Sequence, residues 1–272
     1  MTYDNLSTAG FTVIPSFFNN KEIETFLHDY RGSEQSDCIN YHITRATHPA
    51  LSTVREKINT TLEEITRGST LKVDYMVPTV NYFDTTRIDR SEFHQDYEPF
   101  YILQQNLNYV NFWIPIIKPV ANKSGLVVIP MDKLIERAPE FKDRIVGNGA
   151  SSYYTDGNVT HVKNYNLDIE YVIPFNLDTI AVAPDLTPGD ALIITGDLLH
   201  RTQDVTTKRV AISIRATNGS YPIKREPLYT GSEFKLKKLA GCRSVYDAFN
   251  RGCTQHHKDQ LTPEEFYGKW WD

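Results

Sequence analysis

The stretch Ser91-Glu92-Phe93-His94-Gln95-Asp96 places an imidazole and a carboxylate two residues apart. Because successive residues of an extended chain point to opposite faces, His94 and Asp96 point the same way and can meet one metal ion. A third imidazole, His200, lies far downstream. Two imidazoles and one carboxylate suit Fe(II) and leave coordination positions open for a cosubstrate and O₂. We therefore predict that His94, Asp96 and His200 bind one iron ion.

The residues before His200 strengthen this prediction. The turn residues Pro188-Gly189-Asp190 precede a short apolar run, Ala191 to Thr195. This order predicts a tight turn followed by a buried strand. We expect His200, which comes shortly after that strand, to lie at the mouth of a barrel.

The next strand, Arg209 to Thr217, has two contrasting faces. One face carries Arg209, Ala211, Ser213 and Arg215, and the other carries Val210, Ile212 and Ile214. Two arginines opposite so apolar a face predict a wet pocket in which guanidinium groups bind carboxylates. On this interpretation Arg209 anchors a small dicarboxylate beside the iron. The alternative is an edge strand with one solvated side.

Short strands predominate in the middle of the chain. Runs rich in Val, Ile, Tyr and Thr predict strands at 10–15, 71–83, 109–116, 126–129, 171–175, 179–183, 191–195 and 209–217. Pro78 makes the second of these irregular or places it at a sheet edge. The segment from Val146 to Asn166 lacks clear periodicity. We interpret it as a long loop that can close over a substrate through Tyr153, Tyr154 and His161.

Helices flank these strands. Apolar residues at helical spacing predict helices at about 21–30, capped by Asn20, and at about 50–67. The segment from Met131 to Phe141 is predicted to form one or two short helices. Helical structure is predicted again from about Glu233, and Thr262 is expected to cap the last helix. The pattern favours one mainly β domain over residues 1–272, with a helical part at about 16–68, a β core at about 71–217 and a helical tail at about 221–272.

Composition argues against several other classes of protein. The chain has 272 residues, of which 40% are hydrophobic, and a net charge of −5. It lacks the basic tract that follows a phosphate backbone, so we expect no nucleic-acid partner. Its three cysteines make no disulfide framework. No apolar run reaches the ~18 residues that a membrane span needs, and the N-terminus has no secretion signal, so we expect a cytoplasmic protein without a membrane span.

Several motifs follow one another in a fixed order along the chain. They are Gly10-Phe11, His94-Gln95-Asp96, Asn111-Phe112-Trp113-Ile114-Pro115, the run from Asn122 to Pro130, the run from Pro188 to His200, and the run from Arg209 to Ser213. Together this ordered set resembles the phytanoyl-CoA dioxygenase-like family of Fe(II)/2-oxoglutarate-dependent oxygenases. The resemblance covers roughly residues 10 to 217.

The resemblance implies a double-stranded β-helix, that is, a jelly-roll or cupin-like core, with Fe(II) and 2-oxoglutarate bound at one open end. It implies that His94, Asp96 and His200 are the catalytic metal-binding triad. The implied cosubstrate contacts are Arg209, which pairs with the distal carboxylate of 2-oxoglutarate, Thr202, whose hydroxyl assists it, and Asn81, a further polar contact. Phe100 falls where some members place an aromatic residue near the iron.

The same resemblance implies that O₂ is used to oxidise a small molecule, with release of succinate and CO₂. Asp96 favours hydroxylation or a related oxidation, because related halogenases lack this carboxylate. A second pocket arginine suits a carboxylated substrate. The predicted substrate contacts are Arg215, Phe100, Asn111 and Trp113.

Two departures leave other functions open. Pro130-Met131-Asp132-Lys133 stands where the family usually has Pro-Gly-Ser-His, and the tail after Tyr221 matches no family motif. One alternative is a non-catalytic barrel that binds a metal or a small acid. The other is a cupin-type metalloenzyme that does not use 2-oxoglutarate, although such enzymes typically use three or four histidines.

Overall fold

The computed structural model describes residues 4–32, 49–67, 69–85, 92–96, 108–141, 151–164, 169–226 and 243–269. The strands are β1 (Phe11–Ile14), β2 (Tyr75–Asp84), β3 (Tyr109–Ile117), β4 (Leu126–Val128), β5 (Ser151–Asp156), β6 (Val159–Asn164), β7 (Ile169–Ile173), β8 (Ala191–Thr195), β9 (His200–Thr202), β10 (Val210–Thr217), β11 (Ile223–Lys224) and β12 (Gln260–Leu261). The α-helices are α1 (Asp4–Thr8), α2 (Asn20–Gly32), α3 (Pro49–Thr66), α4 (Met131–Arg137), α5 (Arg243–Gln255) and α6 (Pro263–Lys269), and Pro139–Phe141 and Leu177–Thr179 are single 3₁₀ turns.

Among the described residues, the largest sheet contains five antiparallel strands in the order β1-β8-β3-β10-β2. Strand β2 lies at its edge, and its register with β10 shifts between Ile214 and Ala216, across from Pro78. Proline has no N–H to donate to a neighbouring strand, so an edge position with an irregular register accommodates it. The predicted irregularity at Pro78 is therefore confirmed.

One face of this sheet is covered by α2 and α3. The residues of α3 that pack there recur every three or four positions, which matches one stripe of a helix: Leu51, Val54, Ile58, Leu62 and Ile65. Ile23 and Phe26 of α2 join them. Helix α2 is capped by Asn19 rather than Asn20, because the Asn19 side chain accepts the Glu22 N–H at 3.0 Å while the Glu22 carboxylate accepts the Asn19 N–H at 2.8 Å.

The opposite face of the large sheet packs against a smaller one. Strands β4 and β9 pair, and single bridges extend this sheet on both sides, from His200 to His94 and from Val128 to Val182. An apolar cluster fills the space between the sheets, and it includes Trp113, Leu126, Val128, Leu192, Ile194 and Ala211. The prediction of a mainly β fold with flanking helices is confirmed.

The prediction of a long loop at 146–166 is wrong where the structure describes it. Strands β5, β6 and β7 form a separate antiparallel sheet, and Gly157, with φ of +58°, forms the tight turn between β5 and β6. Asp156 pairs with Val159, so the two turn residues are Gly157 and Asn158, and such a glycine-first pair between two strands predicts a β-hairpin. Tyr153 is buried in an apolar cluster, and Tyr154 stacks on His161, so these side chains belong to a folded sheet.

Two other predicted elements differ in detail. The strand predicted at 179–183 is reduced to the bridge at Val182, because a 3₁₀ turn occupies Leu177–Thr179. The tail contains α5 and α6 together with the short pair β11–β12, and Thr262 caps α6 as predicted, accepting the Glu265 N–H at 3.1 Å. No helix in the described part of the chain is long and apolar enough to cross a membrane.

Gly189 is required by the turn that begins β8. It has φ of +92°, and a Cβ at this position would lie 2.5 Å from the carbonyl oxygen of Phe18. We expect Gly189→Ala to lower the free energy of unfolding by about 2 kcal/mol or more, as measured by urea denaturation.

The control for this substitution is Gly268→Ala in α6, where an added Cβ meets nothing within 4 Å. Alanine favours helix over glycine, so we expect a change of less than about 1 kcal/mol in the stabilising direction. Equal effects of the two substitutions would contradict the importance of the turn.

Candidate metal centre and pocket

The structure brings His94, Asp96 and His200 together. One ligand atom from each lies within 4.8 Å of the others, and this is the only such group of His, Cys, Asp or Glu in the described part of the chain. The two histidines also exchange backbone hydrogen bonds, each N–H donating to the other's carbonyl at 2.9 Å. This bridge joins two segments that are distant in sequence, so the two imidazoles lie side by side, with ring centres 4.4 Å apart.

Both imidazoles are held in the same tautomer. His94 Nδ1 lies 3.1 Å from the Glu92 carbonyl oxygen, and His200 Nδ1 lies 3.0 Å from the Leu198 carbonyl oxygen. A carbonyl can only accept, so Nδ1 carries the proton in each ring and Nε2 presents its lone pair. Metal-binding histidines are commonly oriented in this way. The donor set therefore fits a divalent transition metal.

The carboxylate of Asp96 is oriented by the large sheet. Asn111 of β3 donates from its amide to Asp96 Oδ2 at 2.7 Å, and Ser213 of β10 donates to the Asn111 carbonyl oxygen at 2.6 Å. Desolvation raises the pKa of the Asp96 carboxyl, but the neighbouring His200 ring, the Arg215 guanidinium and the Asn111 hydrogen bond outweigh it and hold the pKa below its ordinary value. Asp96 is therefore an anionic ligand with a fixed orientation.

Removal of this orienting amide has a predictable cost. We expect Asn111→Ala to weaken Fe(II) binding about 10- to 100-fold, because the Asp96 carboxylate loses the hydrogen bond that orients it. Anaerobic equilibrium titration with Fe(II) measures the effect. Asn81→Ala is the matched control: Asn81 also lies on a strand of the large sheet, opposite Ser213, and no hydrogen bond joins it to Asp96. Unchanged Fe(II) affinity in Asn111→Ala would contradict the role of the amide.

Gln95, between the two ligands of the first segment, points the other way. Its amide donates to the Asp197 carbonyl in the loop that leads to His200. The neighbouring Phe93 lies under the Arg201 guanidinium, with 5.0 Å from Cζ to the ring centre. Two side-chain contacts thus reinforce the backbone bridge between the segments that carry the ligands.

Arg209 is deeply buried immediately before β10, the strand that carries Ser213. Its Nε donates to the Ser124 carbonyl at 2.8 Å, its Nη1 donates to the Phe83 carbonyl at 3.1 Å, and its Cζ lies 5.3 Å from the centre of the Trp113 ring. Its Nη2 is buried and has no hydrogen-bond partner among the described residues. Burial lowers the pKa of Arg209 to about 10, so the group remains charged at neutral pH. A buried cation with an unused donor fits an anionic ligand.

The other predicted cosubstrate contacts are buried on the two opposed sheets. Thr202 is buried on β9 opposite Leu126, and Asn81 is buried on β2 opposite Ser213. Trp113 is buried, and its ring lies under the Arg209 guanidinium. Phe100 lies outside the described residues.

Arg215 connects the metal centre to the C-terminal tail. It stands opposite Asn111 in the register of β3 and β10. Desolvation raises the pKa of Tyr267, on α6, to about 12, although the charge of Arg215 opposes the rise. Elements of the tail also pack on Tyr109, two residues before Asn111 on β3. No sequence motif indicated that the tail reaches this site.

Comparisons with known proteins show the fold. No protein-family model matches the chain, and no curated protein matches it. Among solved structures, the non-haem α-ketoglutarate-dependent carbocyclase SnoK from nogalamycin biosynthesis is 13% identical, with 80% of this chain and 85% of that chain covered and a TM-score of 0.52. The epimerase SnoN from the same biosynthesis, also described as non-haem and α-ketoglutarate-dependent, is 11% identical, with 81% and 82% covered and a TM-score of 0.50.

HygX from Streptomyces hygroscopicus, solved with nickel and 2-oxoglutarate bound, is 12% identical, with 80% of this chain and 86% of that chain covered and a TM-score of 0.50. At such identities the likeness establishes the architecture alone. Together with the two opposed sheets, it confirms the predicted jelly-roll core. Membership of the phytanoyl-CoA dioxygenase-like family stays a prediction.

Proposed function

We propose that this protein is an Fe(II)- and 2-oxoglutarate-dependent dioxygenase that oxidises a small molecule. The observation that carries the proposal is the grouping of two histidines and an aspartate with both Nε2 atoms available. A buried arginine with an unused donor, Arg209, directly precedes β10, the strand whose Ser213 bonds the amide that orients Asp96. The fold shared with SnoK, SnoN and HygX supports it, since their descriptions name α-ketoglutarate dependence or bound 2-oxoglutarate.

In this proposal His94 and His200 bind iron through Nε2 and Asp96 binds it through its carboxylate. Asn111 and Ser213 keep that carboxylate in one orientation before the metal arrives. When bound, Fe(II) and 2-oxoglutarate would supply the O₂ chemistry for oxidation of the substrate, with release of succinate and CO₂. The contribution of the chain is to position these groups and to exclude water.

We assign the distal carboxylate of 2-oxoglutarate to Arg209. Its Nε and Nη1 are engaged by backbone carbonyls, so Nη2 is the donor that remains for the carboxylate. The buried Trp113 ring beneath the guanidinium keeps water from competing for it. The hydroxyl of Thr202 and the amide of Asn81 are assigned to the same cosubstrate.

We further propose that the substrate is a small, carboxylated molecule bound near Arg215 and Tyr267. Arg215 stands opposite Asn111, whose amide donates to Asp96, so an acidic group bound by Arg215 would lie near the metal ligands. Hydroxylation is the preferred outcome because Asp96 retains the carboxylate of the triad. The hydrogen-bonded amide of Asn111 is better used in orienting Asp96 than in contacting the substrate.

The experiment that tests the proposal measures O₂ uptake and succinate formation with Fe(II) and 2-oxoglutarate, without added substrate. We expect slow uncoupled turnover in which succinate appears only when iron, 2-oxoglutarate and O₂ are all present. His94→Ala should remove it. O₂ uptake that does not depend on 2-oxoglutarate would favour a cupin-type enzyme, and iron binding with neither activity would favour a non-catalytic barrel.

A further inference from the structure

Ser124, in the connection between β3 and β4, has an unusual backbone conformation. Its φ is +54°, in the left-handed region that a residue with a Cβ rarely adopts. The residue is fully buried, and it is followed by Gly125. Such a conformation persists only where surrounding contacts hold it. The contacts that hold Ser124 therefore also determine the direction in which its backbone carbonyl points.

Asp204, in the connection after β9, supplies two of these contacts, including the one to the backbone N–H, and Thr207 supplies the others. Its Oδ2 accepts the Ser124 N–H at 3.0 Å, and its Oδ1 accepts the Ser124 hydroxyl at 3.1 Å. Desolvation raises the pKa of Asp204, but hydrogen bonds from Thr206 and Ser124 lower it to about 2, so the carboxylate stays charged. The Thr207 N–H donates back to the Ser124 hydroxyl at 3.2 Å.

The carbonyl of Ser124 in turn orients Arg209. It accepts from Arg209 Nε at 2.8 Å, and the Phe83 carbonyl accepts from Nη1 at 3.1 Å. A planar guanidinium held at two nitrogens has one orientation, and here it leaves Nη2 as the unused donor. A return of Ser124 to a right-handed conformation would turn its carbonyl away and release Nε.

We propose that Asp204 is a positioning residue for 2-oxoglutarate: it holds Ser124 in the left-handed conformation that fixes the Arg209 guanidinium. This inference rests on the proposed function, because it takes Arg209 to be the cosubstrate anchor. Without Asp204, the Cβ of Ser124 favours other conformations, and only a fraction of molecules presents Arg209 correctly. The apparent affinity for 2-oxoglutarate then falls in proportion to that fraction.

A purely electrostatic action of Asp204 on Arg209 is the competing explanation, since its negative charge also acts on the guanidinium. Substitutions at Ser124 separate the two. Ser124→Ala and Ser124→Gly both remove the hydroxyl and leave the charge of Asp204 in place. Only alanine keeps the Cβ that disfavours a positive φ, whereas glycine adopts it without strain.

The test is calorimetric titration of 2-oxoglutarate into anaerobic, Fe(II)-loaded protein. We expect Asp204→Asn to weaken 2-oxoglutarate binding about tenfold. Ser124→Ala protein should bind 2-oxoglutarate about fivefold more weakly than Ser124→Gly protein. In the double variant, Ser124→Gly should restore most of the affinity that Asp204→Asn alone loses. Fe(II) affinity should be unchanged in every variant. Asp178→Asn, which removes an acid paired with Arg201 of β9 at 2.9 Å, is the matched control and should bind 2-oxoglutarate normally.

The outcomes are distinguishable. Wild-type protein that binds Fe(II) but no 2-oxoglutarate overturns the proposed function itself. Wild-type binding with equal affinities for Ser124→Ala and Ser124→Gly overturns only the positioning role. Additive losses in the double variant identify a charge effect and likewise overturn it. If Asp204→Asn fails to fold, the comparison of the two Ser124 variants decides alone.

Discussion

Replacement of His200 with alanine will abolish iron binding. The imidazole supplies one of only three protein ligands in the proposed centre, and its side chain is almost completely buried, so no other described side chain is positioned to replace it. Loss of contacts outside the coordination sphere already costs about 10- to 100-fold in metal affinity, so loss of a direct ligand should cost more than about 100-fold. Anaerobic equilibrium titration with Fe(II) measures this loss.

The matched control is His161→Ala. His161 lies on β6 in the separate three-stranded sheet, where it stacks on Tyr154 and pairs with Glu170. We expect normal iron affinity and normal succinate formation in this variant. Thermal unfolding of both variants distinguishes loss of a ligand from loss of the fold. Retention of iron affinity by folded His200→Ala protein would remove His200 from the metal centre.

Substitution of Arg209 by lysine will separate cosubstrate binding from iron binding. Lysine keeps the positive charge but lacks the planar fork, so it cannot hold both backbone carbonyls and also present a donor to a carboxylate. Charge-assisted hydrogen bonds contribute about 1.5–3 kcal/mol each, so we expect the KM for 2-oxoglutarate to rise roughly 100-fold. The affinity for Fe(II) should be unchanged, because Arg209 is not a metal ligand.

Arg201→Lys provides the comparison for this variant. Arg201 is half-buried, pairs with Asp178 and lies over Phe93, and so makes no contact with the cosubstrate in our account. We expect its KM for 2-oxoglutarate to remain within about threefold of the wild-type value. If Arg209→Lys has an unchanged KM, the carboxylate is bound elsewhere and the assignment of Arg209 is wrong.

The parts of the site that could be predicted from sequence are those in which side chains alternate between the two faces of a strand. The alternation of Arg209, Ala211, Ser213 and Arg215 with apolar residues predicted one face of β10 for Ser213 and Arg215. In the structure these two residues stand opposite Trp113 and Asn111 of β3, and Ser213 is hydrogen-bonded to Asn111. The same alternation explains why His94 and Asp96 meet while Gln95 points away. Helix α3 could also be predicted, because its apolar residues recur with the helical period of 3.6 residues.

Features that depend on contacts between residues far apart in the chain could not be predicted from the sequence. The hydrogen bonds of Asp204 with Ser124 join residues 80 positions apart, and no local pattern marks a serine with positive φ. Tyr267 approaches Arg215 only because α6 packs on β2. The hairpin of β5 and β6, in contrast, could have been predicted, because its two turn residues, Gly157 and Asn158, are adjacent within the segment that we interpreted as a loop.

Anaerobic titration of the Fe(II)-loaded protein with 2-oxoglutarate, followed by visible absorption, tests the central claim most directly. Chelation of Fe(II) by the keto-acid end of 2-oxoglutarate gives a metal-to-ligand charge-transfer band. Our account predicts a saturable band that Arg209→Lys shifts to much higher 2-oxoglutarate concentration and that His200→Ala eliminates. Wild-type protein that binds iron stoichiometrically yet develops no band at any concentration of 2-oxoglutarate would contradict it.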